Sequence, residues 1–154
     1  MEYMIVKWLH VLSSTFLFGT GIGSAFYMLF TSLSRDVKAI AVVSRFVVLA
    51  DWIFTSTTVI IQPVTGFWMI HLAGYPMTSS WIMWSIGLYL LAGACWLPVV
   101  WIQLKMRDMA QVAAREHTDL PPLYWRYLKI WTALGIPAFF ALVIVFYLMV
   151  AKPV

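Results

Sequence analysis

Charge is scarce in this chain. Asp, Glu, Lys and Arg together make up only 10% of its 154 residues, whereas a soluble domain carries about a quarter. Cysteine is almost absent. The single Cys95, inside an apolar run, excludes an intrachain disulfide and a Cys–Cys metal pair. No glycine-rich phosphate loop, dinucleotide fingerprint or H-E-x-x-H spacing occurs. Arg115, Glu116, His117 and Asp119 lie close together, but no nucleophile or ligand spacing accompanies them, and they read as a solvated helix end. What fills the space instead is apolar: 63% of residues are hydrophobic. A chain this small cannot hide that much apolar surface in its own core, so lipid must act as solvent for much of it.

The apolar residues form four runs: Val11–Phe30, Trp52–Ile70, Trp81–Leu104 and Ile130–Ala151. None contains Asp, Glu, Lys, Arg or His. A bilayer core of about 30 Å needs roughly 20 helical residues, and each run has that length. Strands of a membrane barrel would be shorter and would alternate in polarity. A helix also satisfies its own backbone inside lipid. The expectation is an all-α, four-transmembrane-helix bundle. It forms one integral membrane domain over residues 1–154, with helices near 4–31, 46–71, 81–105 and 129–151. The first run is too long for a signal-peptide core and reads as a retained helix. Lys105–Glu116 can continue the third helix beyond the membrane.

Basic residues sort to one side. Arg35, Lys38 and Arg45 follow the first run, and Lys105, Arg107, Arg115, Arg126 and Lys129 follow the third. The connection Leu72–Ser80 is uncharged, and only Lys7 and Lys152 fall opposite. This bias predicts cytoplasmic basic loops, with both termini outside. The net charge of +4 therefore reads as topology and contact with anionic lipid, not as nucleic-acid binding. Pro63, Pro98 and Pro137 fall inside runs, where a membrane helix tolerates a kink and freed carbonyls. Gly19 and Gly23 form a GxxxG pair, a packing face for another helix of the bundle or for a second copy of the chain.

Two histidines, His10 and His71, sit at run margins near the same membrane face. Neutral imidazole is a good haem-iron ligand, and antiparallel helices can each supply one. Ser14 and Gly21 share the face of His10 and leave room for a flat macrocycle. His71 has a phase problem. Asp51, Thr55, Thr58, Gln62 and Thr65 form a polar stripe on its helix, roughly opposite to it, and polar residues face a bundle's interior. Asp51 follows Arg45 closely, so an ion pair or interfacial exposure is its simplest role. As part of the line Asp51–Thr58–Gln62 it could instead belong to a proton or ion path.

The segment from Val6 to Ser14 (V-K-W-L-H-V-L-S-S), with Phe18-Gly19-Thr20-Gly21-Ile22-Gly23, resembles a bacterial family of predicted integral membrane proteins of unknown function. Asp51-Trp52, Gln62-Pro63, Gly66, Trp96-Leu97-Pro98 and the tail Phe146–Pro153 are similar too, so the resemblance spans nearly the whole chain. It implies four membrane helices and no known activity. A more distant similarity is to HemJ-type and CopD-like haem-linked membrane proteins. Lys7, Leu9 and His10 match a K-x-L-H start to the first helix, and Gly66 and Trp68 loosely match the end of the second. Where the HemJ pattern has a His and a Lys, this chain reads Trp81-Ile82-Met83-Trp84. Only His10 carries over as a ligand.

Two functional classes follow. In the first, a protein of the bacterial inner membrane binds haem b through His10, with His71 as a second ligand, for redox or tetrapyrrole chemistry. In the second, a non-enzymatic transporter or channel subunit, or an assembly factor, works through the polar stripe of the second helix and self-associates through Gly19 and Gly23.

Overall fold

The computed structural model describes residues 1–153. Every regular element among them is helical. Helix α1 spans Glu2–Ser34 and α2 spans Val37–Ala50. A π-helical turn at Asp51–Thr55 joins α2 directly to α3, Ser56–Ala73. Helices α4, Ser80–Glu116, and α5, Pro122–Ala151, complete the chain.

Local chemistry sets the breaks. Arg35 takes a left-handed conformation and ends α1. The Asp36 carboxylate then accepts from the Lys38 and Ala39 N–H groups at 3.0 and 3.1 Å, capping α2. Gly74, at φ 67°, closes α3 with its N–H on the His71 carbonyl, while Tyr75 N–H reaches Ile70. Glycine is suited to that position because it has no Cβ to clash. Pro121 and Pro122 start α5, where a missing N–H is harmless.

Three helices, α1, α4 and α5, are long and apolar enough to cross a membrane. This corrects the expectation of four independent spans. The second run is divided: Trp52 to Thr55 lie in the π-turn, and the 18-residue α3 that follows carries six polar residues of its own, among them Gln62 and His71. Those polar side chains dilute its hydropathy. The helices also outrun their apolar cores. α1 begins at Glu2, and α4 continues to Glu116.

The tight core lies at the end carrying the basic loops. Met28, Ile40, Val47, Ile102, Met106, Ala110, Tyr124 and Trp131 are all buried there. Tyr124 is fully enclosed and shares a 2.7 Å hydrogen bond with Ser32. At the opposite end only a small cluster forms, around Trp81, Ile82 and Leu148. Most other large side chains of the runs point outward, as lipid-facing residues must.

The prolines lie within helices, as their sequence positions suggest. Pro63 has no N–H to offer the carbonyl four residues back, that of Val59. The Tyr89 hydroxyl of α4 donates to that oxygen at 2.7 Å, so a neighbouring helix supplies the missing bond. Tyr89→Phe should therefore cost about 1 kcal/mol by unfolding in mixed micelles. In a Pro63→Ala background, where the backbone N–H returns, the same change should cost far less. Equal losses in both backgrounds would refute the compensation.

Candidate functional site

The polar stripe of the second run is the interior seam of the molecule. Asp51, Thr55, Thr58, Gln62 and Thr65 are all buried, at 5–8% exposure. Steps of four and three residues keep them on one face. α3 packs against α1, and α2 against α1 and α4, so the seam runs between rods and away from lipid.

At one end it meets α1. Gln62 Nε2 donates to the His10 carbonyl at 2.9 Å and to Ser13 Oγ at 3.1 Å. His10 Nδ1 lies 2.8 Å from Thr65 Oγ1. The Thr65 hydroxyl donates its one proton to the Ile61 carbonyl at 2.7 Å. With the Thr65 proton so placed, a neutral His10 donates from Nδ1 and keeps its lone pair on Nε2. Gly66 allows this approach: a Cβ there would stand 3.4 Å from His10 Cε1.

At the other end the seam meets α4 and α5. Asp51 Oδ1 accepts from Thr55 Oγ1 at 2.8 Å, and Oδ2 from Gln103 Nε2 at 2.6 Å. Gln103 Oε1 accepts from Trp131 Nε1 at 3.1 Å. One amide thus ties three rods through a single acid. The Asp51 carbonyl also accepts from the Ser56 N–H, the bond that closes the π-turn.

Between the two ends, Thr58 turns its hydroxyl back to the Phe54 carbonyl at 2.6 Å. No direct hydrogen bond joins Thr58 to Gln62 among the described residues. The seam has two hydrogen-bonded termini, with a threonine step between them.

The sequence expectations divide accordingly. His10, Asp51, Thr58, Gln62 and Thr65 line one seam. His71 is exposed at the end of α3, on a face away from Thr65, and does not meet His10. Asp51 is neither exposed nor ion-paired: Arg45 is exposed, and the ion pair found among the described residues is Arg107–Asp108 at 2.7 Å. A Cβ on Gly19 or Gly23 would touch nothing, so that pair is not a packing face within this chain. No group of three or more His, Cys, Asp or Glu residues converges on a metal site among the described residues. Ser13, Tyr89, Gln103 and Trp131 were missed as partners. Gln62 and Gln103 are the amides inside apolar runs, and that costly placement was the available signal.

Long apolar helices around a buried polar seam define an integral membrane protein. The chain belongs to the family described as predicted integral membrane protein (DUF2269), whose model matches residues 4–153. No curated protein and no solved structure matches it significantly.

Proposed function

We propose that this protein crosses a bacterial plasma membrane four times, with residues 37–73 forming the second crossing, and passes protons along its seam. The positive bias of the Arg35–Arg45 and Lys105–Lys129 segments favours both termini outside. The observation that carries the reading is the placement of two acid–base side chains, Asp51 and His10, at opposite ends of one buried polar face. A buried acid with no partner cation is a place to take up and release a proton. His10, with a donor at Nδ1 and a lone pair at Nε2, can accept on one side and donate on the other. About 16 Å of helix separates Asp51 from Gln62, so transfer across the threonine step requires water to enter beside Thr58.

Vesicles containing the protein and a trapped pH dye test this. With an imposed potential, acidification should exceed that of protein-free vesicles, and Asp51→Asn or Gln62→Leu should return it to that background. Wild-type flux no faster than protein-free vesicles would refute the reading.

Haem b is the second reading, and His10 is the residue that favours it. The Thr65 hydrogen bond fixes the ring and leaves Nε2 free, the arrangement that haem-ligating histidines use. The exposed His71 supports no second ligand, so the fit is to single-histidine ligation. Protein purified from haem-replete membranes should then show a Soret band that disappears in His10→Ala and survives in His71→Ala. A spectrum with no Soret band would remove this reading.

A further inference from the structure

A lateral cavity opens beside Asp51. Its volume is about 360 Å³, and its walls include Asp51, Trp52, Trp96, Val100, Trp101 and Gln103. Three tryptophans and one acid are an unusual lining for a groove between lipid-facing rods. Trp52 and Trp101 are more than half exposed, so the aromatic wall continues to the bundle surface. Trp96 belongs to the same wall, and its indole N–H is buried without a hydrogen-bond partner.

The electrostatics select the occupant. Each Asp51 oxygen accepts one hydrogen bond, from Thr55 or from Gln103. A carboxylate has about four lone-pair positions, so acceptor capacity remains. No basic side chain pairs with it among the described residues. Indole faces attract cations, most strongly when water is excluded. The wall already shows this: Lys105 Nζ lies 6.0 Å over the Trp101 ring. Trp52, Leu97 and Trp101 around the opening are exposed, so a visitor with an apolar surface of its own suits it. The volume falls at the lower end of the range for small-molecule sites.

We propose that this cavity binds lipophilic organic cations, with Asp51 as counter-charge and Trp52, Trp96 and Trp101 as the aromatic wall. The site goes beyond proton transfer and does not depend on it.

The test uses the full chain in detergent, without any gradient. Tetraphenylphosphonium is titrated against tryptophan fluorescence and by equilibrium dialysis, beside the neutral triphenylphosphine oxide. Saturable binding of the cation is expected, at least about tenfold tighter than of the neutral probe. Asp51→Asn should weaken cation binding at least about tenfold and leave the neutral probe unchanged. Val100→Trp, which fills the cavity without touching the Asp51 hydrogen bonds, should abolish both and decides the matter if Asp51→Asn does not fold. Equal binding of the two probes, unchanged affinity in Asp51→Asn, or no saturable binding would overturn the site. Failed binding with proton flux intact removes this site alone, and binding without flux removes only the proton reading.

Discussion

Gln103→Leu should be the most damaging single substitution in the molecule, with a loss of about 3 kcal/mol or more. The side chain is 2% exposed and holds two partners at once. Its Nε2 serves Asp51, and its Oε1 serves Trp131. Leucine fills similar space but leaves a carboxylate oxygen and an indole N–H buried with nothing to bond. Removing the donor of a buried hydrogen bond to a carboxylate is costly because the acid remains desolvated. The double variant Asp51→Leu with Gln103→Leu removes both polar groups, so it should be more stable than Gln103→Leu alone. Unfolding midpoints in mixed micelles would check the order. A Gln103→Leu protein as stable as wild type would show that the bridge carries no weight.

Single-residue deletions in the second rod should give opposite results at two nearby positions. Ile53 and Ile60 are both exposed, so removing either takes nothing from the core. Ile53 lies in the π-turn, which holds one residue more than an α-helix would at that point. Deleting it lets the turn relax to α-helix, and the flanking segments keep their faces. Ile60 lies in regular α3. Deleting it rotates everything beyond by about 100° and carries Gln62 and Thr65 away from Ser13 and His10. The Ile53 deletion should fold and retain any proton flux, whereas the Ile60 deletion should lose flux and expression in folded form. Equal tolerance at both sites would deny the π-turn its role as the extra residue.

How much of this could be read in advance depends on periodicity. The stripe from Asp51 to Thr65 announces itself because five polar residues recur at three and four in an otherwise apolar run. The phase that turns His71 from that stripe is legible for the same reason. Gln103 and Trp131 each stand alone on a long run, so no period marks them, and their meeting with Asp51 depends on which rods are neighbours. The role of Arg45 was misjudged because nearness in sequence says little about direction. Six residues on a helix turn a side chain through about 600°, here toward solvent. Lys105–Glu116 continues α4 as its sequence suggested, whereas the second rod starts well before expectation because the charged turns of Val37–Arg45 are as helical as the apolar residues they precede. The π-turn has no sequence signature of its own.

The uneven core has a mechanical consequence. Helix α4 has 37 residues, so it is about 55 Å long, against a hydrocarbon slab of about 30 Å. Large buried side chains lock the helices together at the basic-loop end, whereas the far end has only the small cluster of Trp81, Ile82 and Leu148 and the hydrogen bonds that join His10 and Ser13 to Gln62 and Thr65. When bilayer thickness changes, the helices must tilt or slide to follow it. The locked end cannot yield, so adjustment falls to the loosely joined one, where His10 and Gly66 sit. Thickness of the surrounding lipid then becomes an input to the geometry of that histidine, and the membrane itself joins the list of things that can tune the protein.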